Sequence, residues 1–235
     1  MRTKTLLLTA ALSAAGLATS MAQVYSVNAV GYVNQTVPPN GYAILANPLN
    51  GTNNQLNTIL PLPDNTYDGA NIFQFDPALQ AYKDASTWIT GLGWFNASDP
   101  APSANPGEGF FCQNVAGVAL NVTFVGEVPA GAALNNPVVG NNRYTLRSSI
   151  VPKGLRLGNV GVANTLNFPA VEGDTVFIFN PALQAYNDAY TYINGLGWFS
   201  PSDPDPDGPI IAPGTGFFSQ KAGPDAVWTQ SFSVN

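Results

Sequence analysis

The sequence predicts an all-β protein made of two homologous units. Charged side chains make up only 9% of the chain, too few to coat the solvent face of amphipathic helices, while 23 glycines and 20 prolines interrupt it at short intervals. Apolar residues make up 45% of the chain and aromatic ones 11%, and together with the frequent turn formers they suit many short strands joined by tight turns. The third observation is a duplication. Ile72 to Phe95 aligns without a gap on Val176 to Phe199, 104 residues later, with 17 identities in 24 positions.

Taken in order, the chain opens with Arg2 and Lys4, an apolar run from Leu6 to Leu17, and the small residues Ser20 and Ala22 at cleavage-site spacing. This is the pattern of a secretory signal peptide over residues 1–22, which places the mature chain outside the cytoplasm, secreted to the extracellular space or the periplasm. No later apolar run approaches the roughly 20 residues of a membrane-spanning helix. Without Arg2 and Lys4 the eight basic residues fall to six against 14 acidic ones, a net charge of −8. Such a chain lacks the basic surface that nucleic acid or an anionic membrane requires. A single cysteine, Cys112, rules out an internal disulfide, and within GFFCQ it reads as a small buried hydrophobe.

The first β unit is expected over residues 23–128, a connector over 129–140 (PAGAALNNPVVG), and the second unit over 141–235. A strand at Tyr42 to Leu45 corresponds to one at Tyr144 to Arg147. Asn53 to Leu60 and Asn159 to Leu166 have spaced apolar residues and predict two short helices. IFQF-DPAL-QAY predicts a hairpin: Asp76 caps a turn through its side chain and Pro77 presets φ, with Asn180-Pro181 in the same places of the second copy. Phe73 and Phe75 share one face, as do Phe177 and Phe179 around Ile178, and this aromatic face is expected in the core. Strands at Thr87 to Ile89 and Thr191 to Ile193 lead into the two GLGWF segments, whose glycines shape a bend and whose Trp and Phe are expected to anchor the cores. GFFCQ or GFFSQ follows, and each unit closes on a strand, Val122 to Val128 or Trp228 to Val234. The units are expected to be related by a pseudo-twofold axis. Two small sandwiches, two small barrels and two halves of one barrel fit this pattern equally well.

The motifs VGYVN (Val30 to Asn34), GEGFF (Gly107 to Phe111) and FVGEVPAG (Phe124 to Gly131) resemble those of secreted two-repeat β proteins of environmental bacteria. The resemblance spans nearly all of the mature chain. It implies the fold and the compartment, and brings no activity, cofactor or site residue with it.

Chemistry is constrained first by the absence of histidine, which excludes Ser-His-Asp and Cys-His catalytic sets and histidine-ligated metal centres. A carboxylate pair remains, and the equivalent residues Asp84 and Asp188 are its candidates, as in a glycosidase. Asp203, Asp205 and Asp207, followed by Gly208, match the first half of a D-x-D-x-D-G calcium loop, although Gly214 stands where such a loop carries its bidentate glutamate. Apart from calcium no cofactor is implied. Aromatic rings with a polar handle suit stacking on sugars, and Tyr82, Trp88, Tyr186, Tyr190 and Tyr192 cluster around the repeated hairpins. Positions where the copies differ, Trp88/Tyr192 and Ser86/Tyr190, are the expected exposed face. The expected function is therefore a secreted, non-catalytic β-repeat protein in structure, adhesion or extracellular binding, with polysaccharide or cell-surface components as partners. The alternatives are a carbohydrate-binding module and a carboxylate-dependent glycosidase.

Overall fold

The computed structural model describes residues 29–63 and 65–234, so the expected signal peptide lies outside the described residues. The fold is all-β with several antiparallel sheets and no closed barrel. The first half contains β1 (Val30–Val37), β2 (Tyr42–Ala46), α1 (Leu56–Ile59), β3 (Asn71–Asp76), β4 (Ala81–Tyr82), β5 (Ser86–Ile89), β6 (Gly93–Phe95), β7 (Gly109–Gln113) and β8 (Leu120–Glu127). The second half contains β9 (Gly131–Val138), β10 (Arg143–Arg147), β11 (Leu155–Arg156), β12 (Thr175–Phe177), β13 (Phe179–Asn180), β14 (Ala185–Tyr186), β15 (Tyr190–Ile193), β16 (Gly197–Phe199), β17 (Ile210–Ile211), β18 (Phe217–Lys221) and β19 (Ala226–Phe232). No helix among the described residues is long and apolar enough to cross a membrane.

Each half is a small sandwich. One layer is a sheet in the order β2-β7-β3-β5-β6, or β10-β18-β12-β15-β16; the other is a two-stranded ribbon, β1-β8 or β9-β19. Alternation along the strands builds the first core. Ala43 and Leu45 of β2 and Phe110 and Cys112 of β7 point inward to meet Leu120, Val122 and Phe124 of β8, with Leu56, Ile59 and Leu60 of the helical turn closing one end. The second core gathers Val176, Trp198, Phe217 and Trp228 around Phe168. Cys112 is fully buried, and burial pushes its thiol up to about 12.

Several expectations are corrected. The residues expected to connect the units form strand β9, which pairs with β19 as β1 pairs with β8, so the loop between the halves shrinks to Val128, Pro129 and Ala130. The alternation AALNNPV has the strand period, which its small and turn-forming residues obscure. The first expected helix is a single turn, Leu56–Ile59, and residues 159–166 form turns with no helix. In that second segment Asn164 adopts a positive φ, which breaks a helical run.

The faces of the hairpin strands are also reversed. Ile178 packs against the second core, and Gln74, its counterpart, bonds the Ser103 carbonyl at 2.7 Å. The Phe73/Phe75 and Phe177/Phe179 faces therefore turn away from their own cores, and Phe75, Phe177 and Phe179 pack in a third cluster between the halves, around Ile44, Phe111, Leu146 and Phe218. GLGWF divides in the same way. Trp94 and Trp198 are buried, their indole N–H groups donating to the Leu60 and Gly158 carbonyls at 2.7 and 2.9 Å. Phe95 and Phe199 are half exposed instead of filling the cores. Gly93 and Gly197 sit at φ +85° and +87°, and a Cβ at either would collide with the Asn57 side chain or the Pro206 carbonyl.

Candidate functional site

The repeated PALQAY hairpins hold the two halves together. Pro77 to Gln80 form the turn, capped by Asp76 Oδ1, which accepts from the Ala78 and Leu79 amides at 2.8 and 3.2 Å. Gln80 adopts a left-handed φ of +54°, and Gln184 in the other hairpin has φ +53°, a conformation that costs a non-glycine residue about 1 kcal/mol. Both glutamines reach across the joint. Gln80 accepts from the Tyr144 amide at 2.7 Å and donates to the Tyr144 carbonyl at 2.9 Å. Gln184 does the same to Tyr42, at 2.7 and 3.0 Å. Tyr42 and Tyr144 lie on the edge strands β2 and β10, so each carboxamide occupies hydrogen-bonding groups that an open edge would otherwise present. Further along these edges the Ala46 amide donates to Gly214 and the Ser148 amide to Gly107, both at 2.9 Å. Each half thus covers the free edge of the other.

Aromatic rings fill the space beneath these clamps. Phe75 meets Phe218 at 5.2 Å between centroids and Phe179 meets Phe111 at 5.3 Å, both edge to face. Tyr82 leans on Phe75 at 5.5 Å and Tyr186 on Phe179 at 5.4 Å. Tyr42 and Tyr144 stand at 6.3 Å from Phe111 and Phe218. Two clefts open on this stack. One, of about 260 Å³, is lined by Tyr42, Phe73, Tyr82 and Phe111. The other, of about 400 Å³, is lined by Tyr144, Phe177, Tyr186 and Phe218 together with Phe75 and Gln80 from the first half. No charged side chain lines either cleft.

The tyrosines give these clefts a polar rim. Tyr82 and Tyr186 remain 48% and 44% exposed, and Tyr42 and Tyr144 are at the margin of exposure. Tyr67, Tyr190 and Tyr192 each engage a protein partner through the hydroxyl. Among the described residues, none of the four cleft hydroxyls is engaged in that way. Burial raises the Tyr82 hydroxyl above its ordinary range, and raises Tyr186 further still, with the nearby Tyr82 adding to the effect. Both hydroxyls therefore remain protonated donors throughout the neutral range. The arrangement offers C–H···π contact to an apolar ring face and hydrogen bonds at its margin, and nothing that recognises charge.

Of the expected site residues, Tyr82 and Tyr186 lie in the clefts and the other three do not. Trp88 is 6% exposed and packs on Trp94 at 5.6 Å; its indole N–H is the single buried side-chain polar group without a partner among the described residues. Tyr190 is 8% exposed, and Tyr192 is partly buried against Trp198 at 5.4 Å while its hydroxyl accepts from Asn159 at 2.7 Å. These three are corrected to core positions. Asp84 and Asp188 are exposed and line neither cleft; Asp84 accepts a hydrogen bond from Ser98.

The acidic loop is clamped by an arginine. Arg156 pairs with Asp203 at 2.9 Å and with Asp205 at 2.8 Å, and also donates to the Gly208 carbonyl. The Tyr190 hydroxyl donates to Asp203 at 3.1 Å, and the Asp205 and Asp207 amides donate to the carboxylates preceding them at 3.2 and 2.9 Å. The Arg156 hydrogen bond holds the Asp203 carboxyl below the usual carboxylate range. Desolvation, followed by that bond to Asp203, pushes the Tyr190 hydroxyl up to about 12. Two of the three carboxylates expected around calcium, Asp203 and Asp205, thus face a guanidinium, and among the described residues no three acidic or cysteine side chains converge as metal ligands.

Comparison with protein-family models, curated proteins and solved structures finds no match for this chain. Its function has to be read from the site.

Proposed function

We propose that this chain is a non-catalytic carbohydrate-binding protein acting outside the cell, with the paired aromatic clefts as its binding surface. The observation that carries the reading is the set of four tyrosines, Tyr42, Tyr82, Tyr144 and Tyr186, that combine an accessible ring with a hydroxyl no protein group uses among the described residues. Pyranose rings with equatorial substituents present C–H faces for stacking and hydroxyls at the edge for hydrogen bonding, which is what the clefts complement. The uncharged lining favours a neutral sugar. A binding role fits a chain with no histidine, and clefts with no carboxylate lack the acid and base of glycoside hydrolysis. The leader pattern at residues 1–22 supports an extracellular or periplasmic site of action. In such a location, polysaccharide binding would serve adhesion to a matrix or a cell surface.

Native affinity electrophoresis of the mature protein in gels containing soluble neutral polysaccharides tests this. Retardation by at least one neutral glycan, lost in the Tyr82→Ala/Tyr186→Ala double variant and kept in Tyr32→Ala, is the expected result. Equal mobility in every gel would overturn the reading. Release of reducing sugar abolished by Asp84→Ala or Asp188→Ala would replace it with the glycosidase.

A further inference from the structure

Resting on the saccharide reading, we infer that the two clefts are one continuous site for a single unbranched neutral β-linked glycan, and that the joint between the halves sets its track. The second cleft is built from both halves: Phe75 and Gln80 come from the first, Tyr144, Phe177, Tyr186 and Phe218 from the second. Tyr82 walls the first cleft, yet its ring also lies 6.5 Å from Phe218 in the second, and 6.2 Å from Phe111. Phe111 and Phe218, one from each cleft, are 6.5 Å apart. Ring contacts run without a break from Phe73 and Tyr82 to Phe218, and from Phe218 through Tyr144 to Phe177 and Tyr186.

The shape argues for a polymer. Tyr82 and Tyr186 are nearly half exposed, so one sugar ring at either would keep much of its surface in water, whereas a chain of rings lying across both buries successive faces on successive aromatics. Equatorial β-linkages give a flat ribbon with C–H groups on both faces, which matches an aromatic track without charged side chains. A charged glycan would meet no complementary ion there, and the chain as a whole is acidic.

Isothermal titration with cellobiose, cellotetraose and cellohexaose, as model β-linked glucans, reads this directly on the mature wild type and on the Tyr82→Ala and Tyr186→Ala variants. The expected result is one hexaose per chain, bound about a hundredfold more tightly than the biose, as tethering of linked subsites provides. Each single variant is expected to reduce hexaose affinity to near the biose level, while Tyr32→Ala, on the β1–β8 ribbon outside both clefts, stays at wild type, and thermal unfolding of the Tyr82 and Tyr186 variants controls for folding. Two short sugars bound per chain with equal affinity, one lost in each variant, would overturn the continuous site and leave the saccharide reading intact. Binding of none of these glucans while an α-linked neutral glycan retards the protein would overturn the β-linked ribbon as ligand. No binding of any glycan would overturn the saccharide reading and this inference together. A solution dimer that Tyr82→Ala dissociates would also overturn the inference, since the platform would then hold a second copy.

Discussion

Gln80 closes on Tyr144 through two hydrogen bonds, amide to carboxamide oxygen at 2.7 Å and carboxamide nitrogen to carbonyl at 2.9 Å, although Gln80 must hold a left-handed backbone to make them. Gln184 and Tyr42 repeat the contact from the other side. A side chain here does the work of a neighbouring strand. It also fixes Tyr144, a cleft residue, to the hairpin that carries Tyr82.

Gln80→Ala is expected to destabilise the protein by about 1–3 kcal/mol, through three lost hydrogen bonds at a partly exposed edge, two to Tyr144 and one to the Pro77 carbonyl. Gln80→Gly loses the same bonds and also relieves the left-handed strain, so its loss should be smaller by up to about 1 kcal/mol. Urea unfolding of the two variants beside wild type checks the order, and Ala at least as stable as Gly would contradict it.

Phe218→Ala should be costlier, because its ring is buried at the joint against Phe75 and Tyr144. Removal of a buried phenylalanine typically costs about 3–5 kcal/mol. Thermal unfolding checks this, and the variant should also lose sugar binding because Phe218 floors the second cleft.

Lys221 and Asp174 form an ion pair at 2.8 Å with both side chains 2% exposed, and the Pro169 carbonyl and the Val171 and Ala222 amides complete their hydrogen bonding. Asp174→Ala leaves a buried ammonium without its counterion and is expected to cost about 3–5 kcal/mol. The Lys221→Met/Asp174→Leu double variant, which removes both charges, should recover much of that loss in the same unfolding assay.

The acid limb of stability should depend on Asp203. Its folded carboxyl is held low by Arg156, so its contribution is fully present above the unfolded carboxylate value, about 3.9, and is lost as pH falls through the lower folded value. Asp203→Asn should be less stable than wild type at pH 7 and should lose less stability below pH 4. Denaturant midpoints across pH 2–7 would show the two curves converging; parallel curves would contradict the pairing.

Much of the fold was legible because it rests on local chemistry. The Asp76-Pro77 turn, the GLG bends and the burial of Trp94 and Trp198 follow from residue type and position, since capping, positive φ and a large indole each have few structural solutions. The inward face of the aromatic hairpins is not legible, because period-2 alternation distinguishes two faces without saying which one meets the core. Gln74 opposite Ile178 concealed that the shared face is the inward one. Strand β9 resembles a linker in sequence because Gly131, Asn135, Asn136 and Pro137 are turn-forming residues, and only its long-range pairing with β19 makes them a strand.

The site itself was half legible. Tyr82 and Tyr186 stand out as repeated tyrosines, but Tyr42, Tyr144, Phe111 and Phe218 reach the clefts through strand pairing between segments far apart in the chain, β2-β7-β3 and β10-β18-β12, which no local pattern encodes. Differences between the copies point elsewhere, to Trp88, Tyr190 and Tyr192, which belong to the two cores or pack against them. The signal that could have found the site was agreement: QAY and GFF occur in both copies, and these are the residues that meet across the joint.

Because burial raises the Tyr82 and Tyr186 hydroxyls, sugar binding is expected to be constant from pH 6 to pH 9 and to fall only under more alkaline conditions. Titrations at fixed ionic strength check this, and a midpoint near neutrality would implicate a group outside the clefts.

The most direct test is NMR of protein carrying ring-labelled tyrosine, titrated with a neutral β-linked oligosaccharide. The account predicts saturable shifts at Tyr42, Tyr82, Tyr144 and Tyr186 and none at the core residues Tyr190 and Tyr192. Shifts confined to Tyr190 and Tyr192, or to Tyr32 on the outer ribbon, would contradict it.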